Sequence, residues 1–269
     1  MLASFVVYLR PQNPAPLGRS AGRSMHALLL NMISQVDPDL ATELHAANTL
    51  KPFTVSMLQG RFETHDGRPF VTPAETYRVR YTVLEEQVFA ALAHVLLGKQ
   101  LYNEPVIIDG ELFTIEEIAV SPERARGWAS LTTCQQLADE ATTDRQITLQ
   151  FASPTTFKQG DANLLFPLPV SVFGSYLRKW EAFCKIPLPA GILDFVETNV
   201  VAEKYDLETR MVHYGEYDFH GLTGNCTYRV LRRQDDITRA LQTLAAFALF
   251  AGTGQKTPQG MGQTRTLGR

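Results

Sequence analysis

The residues near the end of the chain have types and spacing suited to binding an anion. Four glycines lie within eleven residues: Gly252, Gly254, Gly260 and Gly262. Polar or cationic side chains are interleaved with them: Lys256, Thr257, Gln263 and Arg265. Glycine accepts positive φ and lets backbone N–H groups approach a phosphate closely. This segment, residues 252–265, is called the glycine-rich loop; it predicts either a cradle for an RNA backbone or a flexible connection between a helix and a strand.

Two common nucleotide-binding motifs do not fit the glycine-rich loop. Lys256 is not directly preceded by a glycine, as the lysine of a Walker A motif is. Thr257 stands where the dinucleotide fingerprint has its third glycine, and the loop follows a predicted helix instead of opening one. ATP and NAD are therefore disfavoured, and we expect no cofactor.

Charge is distributed unevenly along a chain whose net charge is −3. From residue 229 to the end, seven basic side chains stand against only two acidic ones. Those that precede the glycine-rich loop include Arg229, Arg232 and Arg233. A local basic surface attracts polyanions even on an acidic protein, because charges farther apart than roughly 8 Å are screened at physiological salt. The alternative is a solvated charged face at the C-terminus.

Patterns of apolar residues predict the same arrangement twice, as strand, helix, two strands, helix, strand. In the first half the predicted elements are a strand at 4–10, helices at 25–33 and 37–46, strands at 52–61 and 77–83, a helix at 85–97 ending at Gly98, and strands at 106–108 and 112–120. In the second half they are a strand at 146–152, a helix at 170–183, irregular strands at 196–203 and 211–214, a strand at 219–231, a helix at 236–250 capped by Asp235 or Asp236, and a strand at 261–267.

This order is that of a ferredoxin-like unit. We therefore predict the α+β class, with tandem ferredoxin-like (RRM-like, βαββαβ) domains and a C-terminal glycine-rich loop. The domains are predicted at residues 1–122 and 146–269, joined by a linker region at 123–145. The length of 269 residues is enough for two such cores.

Composition also bears on the compartment. No segment approaches the roughly 18 consecutive apolar residues of a membrane span, and the N-terminal residues have no secretory leader pattern. The three cysteines, Cys134, Cys184 and Cys226, are odd in number and far apart. They predict a reducing cytoplasm, with neither a disulfide framework nor a zinc site.

Four segments in collinear order carry more specific motifs. They read MHALLLNMISQVDPDLATELHAANTLKPFTVSML, FASPTTFKQGDANLLFPLPVSVFGSYLRKW, GLTGNCTYRV and the glycine-rich loop GTGQKTPQGMGQTR. Together they resemble the CRISPR-associated repeat-processing endoribonucleases of the repeat-associated RNA-binding (RAMP) superfamily. The resemblance covers residues 1–66 and 146–269.

The resemblance implies a metal-independent endoribonuclease that binds CRISPR repeat RNA and cuts precursor crRNA. In that family the ribose 2′-OH attacks the adjacent phosphate, leaving a 2′,3′-cyclic phosphate and a 5′-OH. By its motif position, His45 is the expected general acid or base, and Lys51 is expected to stabilise charge on the scissile phosphate. The glycine-rich loop, with Arg229, Arg232 and Arg233, is expected to hold the RNA backbone. No metal site is expected.

One position departs from the family pattern. Several members have a tyrosine in the first helix where this chain has Leu30, which cannot donate a hydrogen bond. His26, one turn earlier, could face the same cleft, although a surface or capping role is favoured for it. The alternative function is a non-catalytic repeat-RNA-binding subunit of a CRISPR effector complex. The chain is expected to be a monomer or a homodimer with no membrane partner.

Overall fold

The first half of the chain forms an antiparallel sheet packed against helices, in a computed structural model that describes residues 1–18, 21–46, 50–214 and 217–268. Its strands are β1 (Leu2–Pro11), β2 (Ala15–Pro16), β3 (Phe53–Val55), β4 (Glu63–His65), β5 (Arg68–Val71), β6 (Tyr77–Val83), β7 (Val106–Ile108), β8 (Glu111–Ala119) and β9 (Ser130–Thr132). Its helices are α1 (Ala21–Ser34), α2 (Pro38–His45), α3 (Glu86–Leu101) and α4 (Cys134–Asp139).

The main sheet of this half has the order β3-β6-β1-β8-β7, and β9 pairs with the start of β1. Taking β1, β3, β6 and β8 as the four strands of the predicted unit, the order is second, third, first, fourth, which is the ferredoxin-like arrangement. Alternate residues of β1, such as Phe5, Val7 and Leu9, are buried in one core with apolar residues of α1 and α3. The period of two in the strand and the helical spacing in α1 therefore meet on one face of the sheet.

The second half repeats this arrangement. Its strands are β10 (Gln146–Thr155), β11 (Phe157–Gln159), β12 (Ala162–Leu164), β13 (Val200–His213), β14 (Asp218–Val230) and β15 (Thr264–Thr266). Its helices are α5 (Pro169–Lys179), continued by a π-helical turn at Trp180–Cys184, then α6 (Ile192–Asn199) and α7 (Asp235–Ala251). The sheet order β13-β14-β10-β15 is again second, third, first, fourth. The predicted fold class is confirmed.

Several predicted element boundaries are wrong for local reasons. Helix α3 runs through Gly98 to Leu101, so Gly98 is not its cap. Residues 196–199, predicted as strand, belong to α6, because Ile192, Phe195 and Val196 are spaced to bury one helical face. Helix α7 is preceded by Gln234 with no side-chain cap, so neither predicted aspartate caps it.

The prediction that no disulfide forms is also wrong. Cys134, at the start of α4, is bonded to Cys184, at the end of the π-helical turn, across a sequence separation of 50 residues. Cys226 is buried and free. The region predicted as a linker thus contributes β9 to the first sheet and a helix tied to the second half; the domain boundaries themselves stay a prediction.

The two halves contact each other through buried polar side chains of β6. The Arg80 guanidinium donates to the Ser4 hydroxyl at 3.0 Å and to the carbonyl oxygen of Leu249, at the end of α7. The Thr82 hydroxyl donates to the carbonyl oxygen of Phe250 at 2.6 Å. Because Leu249 and Phe250 belong to the helix before the glycine-rich loop, these bonds hold that loop against the first sheet. In the part of the chain described, no helix is long and apolar enough to cross a membrane.

Candidate active site

His26 lies on α1, partly buried, and faces the glycine-rich loop. Its Nδ1 is 3.0 Å from the carbonyl oxygen of Pro258. A carbonyl oxygen can only accept, so Nδ1 carries the proton and Nε2 of the neutral ring is left as an acceptor. Burial is the largest cause that lowers the pKa of His26; the hydrogen bond opposes it, and the charges of Lys51 and His45 lower the pKa further. The ring is therefore neutral at pH 7 and suited to act as a base.

His45 and Lys51 are brought together by a short, well-capped helix. Asp37 caps α2 by accepting from the backbone N–H of Leu40 at 2.9 Å, and Pro38 occupies the first turn, as the sequence predicts. The helix ends at His45, which is exposed. The Lys51 ammonium donates to the carbonyl oxygen of Ala46, so the chain returns to the end of α2; residues 47–49 lie outside the described residues.

His26 joins His45 and Lys51 as a third member of the candidate site, because both of them influence its pKa. Lys51 and His45 each interact electrostatically with the His26 ring, which places the three side chains near one another. Burial lowers the pKa of Lys51. Leu30, one turn after His26, is partly buried and packs against the core of the first half. At the position where several family members have a tyrosine, this chain therefore has an apolar side chain that packs against the core and adds no polar group to the site.

The glycine-rich loop is folded tightly on itself and on β10. Backbone N–H groups that could bind an anion are used inside the protein: Thr253 donates to Gly262 at 2.8 Å, and Gly262 donates to Pro154 at 3.0 Å. A Cβ atom on Gly254 would lie 2.2 Å from the carbonyl oxygen of Thr156. Here glycine serves close backbone packing, and the amides of Thr253 and Gly262 do not form an open phosphate nest.

The side chains of the glycine-rich loop divide into buried and accessible groups. Thr257 and Gln263 are buried, as are Gly252, Gly260 and Gly262, whereas Gly254, Lys256 and Arg265 are partly exposed. The Arg265 guanidinium stacks on Trp128 with its carbon 4.5 Å from the ring centroid. Trp128 in turn lines a cavity of about 380 Å³, whose lining also includes Arg78, Arg80 and Gln263.

A cluster of cations and aromatic rings beside His26 was not predicted from the sequence. Arg23, one turn before His26 on α1, lies with its guanidinium carbon 5.1 Å from the Tyr217 ring centroid. The Lys256 ammonium lies 4.7 Å from the Phe219 ring centroid and 5.2 Å from that of Tyr214. The spacing of Arg23 and His26 on one helical face was a usable indication; the approach of the β13–β14 hairpin to α1 was not visible in the sequence.

The predicted arginines before α7 are not part of this site. Arg229 lies near the end of β14 and is paired with Glu203, while Arg233 is paired with Asp235 at 2.9 Å. Phe219, at the other end of β14, is the residue near Lys256. Ten residues of extended strand span roughly 33 Å, so Arg229 lies far from the Lys256 end of β14, and Arg232 and Arg233 follow it in the chain. Within the described ranges, no three His, Cys, Asp or Glu side chains are grouped as a metal site.

Comparisons with known proteins agree over both halves of the chain. The model for the CRISPR Cas6 N-terminal domain matches residues 1–139, and the model for the CRISPR-associated endoribonuclease Cas6 matches residues 149–264. Over 123 residues the chain is 30% identical to the CRISPR-associated endoribonuclease Cas6 of Mycobacterium tuberculosis, a match that covers 45% of this chain and 38% of that protein. It is 20% identical over 233 residues to that of Streptococcus thermophilus, covering 86% of each.

Solved structures are similar over nearly the full length. A Cas6 protein in a product complex superposes with a TM-score of 0.84 at 29% identity, covering 99% of this chain and 100% of the other. Thermus thermophilus Cas6 superposes with a TM-score of 0.75 at 27% identity, covering 99% of this chain and 98% of the other.

Proposed function

Because the chain belongs to the Cas6 family of CRISPR-associated endoribonucleases, we propose that it binds CRISPR repeat RNA and cuts precursor crRNA within the repeat, without a metal ion. The observation that carries the proposal is a partly buried His26 whose Nδ1 proton is held by the Pro258 carbonyl, beside His45 and Lys51. Two histidines and a lysine supply the base, the acid and the positive charge that this chemistry needs.

In the proposed reaction, Nε2 of His26 accepts the proton of the ribose 2′-OH, and the 2′-oxygen attacks the adjacent phosphorus. The bond from phosphorus to the 5′-oxygen breaks, and His45 donates a proton to that leaving oxygen. The products are a 2′,3′-cyclic phosphate and a 5′-OH end. Lys51 stabilises the negative charge on the phosphate oxygens in the transition state.

The RNA backbone is proposed to lie along the glycine-rich loop. Lys256 and Arg265 are the accessible cations of that loop, and Arg23 adds a third near His26. The internal hydrogen bonds of the loop favour contact through these side chains over contact through its amides. Arg229, Arg232 and Arg233 would contact a distant part of the RNA. We further propose a cytoplasmic protein that acts as a monomer or homodimer, or remains on the RNA within an effector complex.

One observation favours a second candidate, a repeat-binding subunit that does not cut. Leu30 packs against the core where several family members place a tyrosine, so that polar role is not supplied at this position. In this reading the same surface holds the repeat without carrying out the reaction.

The test is to incubate the protein in EDTA with a labelled repeat RNA from its own genome, beside a copy with 2′-deoxyribose at the cut nucleotide. We expect the first RNA to be cut and the second to be bound but intact. His26→Ala and His45→Ala should each slow single-turnover cleavage by roughly 10²–10⁴-fold with little change in RNA affinity. His94→Ala is the matched control, because His94 is exposed on α3 and is not among the groups that influence the pKa of His26. Tight binding of both RNAs with no cut would support the binding subunit instead.

A further inference from the structure

Lys179 is a buried lysine at the end of α5 that makes contact with the glycine-rich loop. The residue is only 5% exposed, and none of the ion pairs among the described residues includes it. The Lys179 Nζ donates to the carbonyl oxygen of Ala251, the last residue of α7, and to the Thr257 hydroxyl at 2.9 Å. A buried lysine nitrogen has enough N–H donors for both oxygens whether or not it is protonated, so it holds these two oxygens in fixed positions.

The segment that Lys179 holds is the one that reaches His26. Thr257 begins the 3₁₀ turn Thr257–Gln259, and the next residue, Pro258, accepts the hydrogen bond from His26. On the other side of Pro258, the Tyr214 hydroxyl donates to the Gln259 carbonyl at 2.8 Å. The carbonyl that accepts from His26 is therefore flanked by two residues, each fixed by a side chain from another element.

We propose that Lys179 is a positioning residue for cleavage: acting through Thr257, it fixes the Pro258 carbonyl, which keeps the proton on Nδ1 of His26 and leaves Nε2 to receive the 2′-OH proton. The inference rests on the proposed function for its catalytic consequence, but not for its statement about the His26 tautomer.

The physical reason is that a histidine tautomer is set by the partner of the other ring nitrogen. His26 also interacts electrostatically with Lys51 and His45, and its ring is stacked on that of Phe53 with the centroids 5.7 Å apart. The group that hydrogen-bonds Nδ1 is the Pro258 carbonyl. If the Pro258 carbonyl shifts, the proton can move to Nε2, which then cannot act as a base. Misplacing a reacting group by about 1 Å can cost about 10²-fold in rate.

The test measures the tautomer directly, by long-range ¹⁵N–¹H NMR of histidine-labelled protein at a pH where His26 is neutral. Wild type is expected to show the Nδ1–H form. Lys179→Met, which keeps the length of the side chain but removes the donor, should show a mixture or the Nε2–H form. Thr257→Val, which removes only the hydroxyl, should give the same change, and the double variant should add little to either.

Tyr176→Phe is the matched control. Tyr176 lies one turn before Lys179 on α5, and its hydroxyl bonds that of Thr253 in the same loop at 2.6 Å, away from Pro258. This variant should lose stability and keep the Nδ1–H signal of His26. A purely structural role for Lys179 would also leave that signal unmoved.

Single-turnover cleavage supplies the functional arm. Lys179→Met and Thr257→Val should cut repeat RNA roughly 10 to 100-fold more slowly than wild type. An unchanged Nδ1–H signal in folded Lys179→Met overturns the inference; should that variant not fold, the same result in Thr257→Val does so. If wild type binds but does not cut RNA, the proposed function fails while the NMR result still decides the role of Lys179.

Discussion

Replacing Lys179 by methionine should remove a steep dependence of stability on pH. Burial, together with the nearby charge of Arg178, lowers the pKa of Lys179 from 10.5 to about 7. Between these two values the unfolded chain binds a proton that the folded protein does not, so the free energy of unfolding rises with pH. The free energy of unfolding is highest, as far as Lys179 is concerned, above its unfolded pKa of 10.5. It decreases as the pH falls from 10.5 to 7, and below pH 7 it no longer changes through this group.

The magnitude follows from the two pKa values. One pKa unit corresponds to about 1.4 kcal/mol, so between pH 7.5 and 9.5 the Lys179 contribution to the free energy of unfolding grows by about 2.5 kcal/mol. The methionine variant also leaves two oxygens without their donor, at a cost of about 1–3 kcal/mol each. That cost does not vary over this pH range, so it cancels when the change with pH is compared between the two proteins.

The assay is urea denaturation at pH 7.5 and 9.5, followed by fluorescence of the buried Trp180. Wild type should gain about 2.5 kcal/mol more than Lys179→Met between the two pH values. Lys158→Met is the control, because Lys158 is exposed on β11, and it should keep the wild-type dependence. Equal changes in wild type and Lys179→Met would show that the lysine is protonated in the folded protein throughout this range, and would refute the reasoning.

Two further predictions concern the site and the disulfide. Because burial lowers the pKa of His26 and the base must be unprotonated, the single-turnover cleavage rate should fall on the acid side only below the ordinary histidine value of 6.5; a half-maximal rate above pH 6.5 would exclude His26 as the base. Cys134→Ser should lower the free energy of unfolding by up to about 4 kcal/mol, the chain-entropy value for the 50-residue separation of Cys134 and Cys184. Denaturation with and without dithiothreitol checks this, and a loss that persists under reducing conditions would show that the contribution does not come from the bond.

The sequence predicted elements best where the spacing of apolar residues decides the structure. It predicted them least well where solvent-exposed strands are held by backbone pairing. The alternation in β6 predicted a strand because its apolar side chains pack into the first core, while the polar side chains on its other face are largely buried against the second half. The helical spacing in α1 predicted a helix because its apolar face packs into the same core. Strand β13 was predicted only as fragments, because most of its side chains between Ala202 and Met211 are exposed and show no alternation. Its length comes from continuous pairing with β14, which no local pattern encodes.

The same distinction holds for the candidate site. His45 and Lys51 are six residues apart, and the Asp37 cap and Pro38 that position them are local signals. The bond from His26 to Pro258 spans 232 residues, so nothing in the sequence near His26 indicated its partner. The glycines did indicate close backbone approach, but the sequence could not show that the approaching atoms are carbonyl oxygens of the protein itself.

The glycines at this contact explain why the site needs both halves of the chain. A Cβ atom on Gly22 of α1 would lie 2.0 Å from the carbonyl oxygen of Gln259, and one on Gly260 would lie 2.5 Å from Cγ of Met57. Only residues without a side chain at these positions let α1 and the glycine-rich loop approach closely enough for His26 to reach Pro258. Since His26 comes from the first half and its acceptor from the second, the tautomer of the proposed base depends on how the two halves are packed.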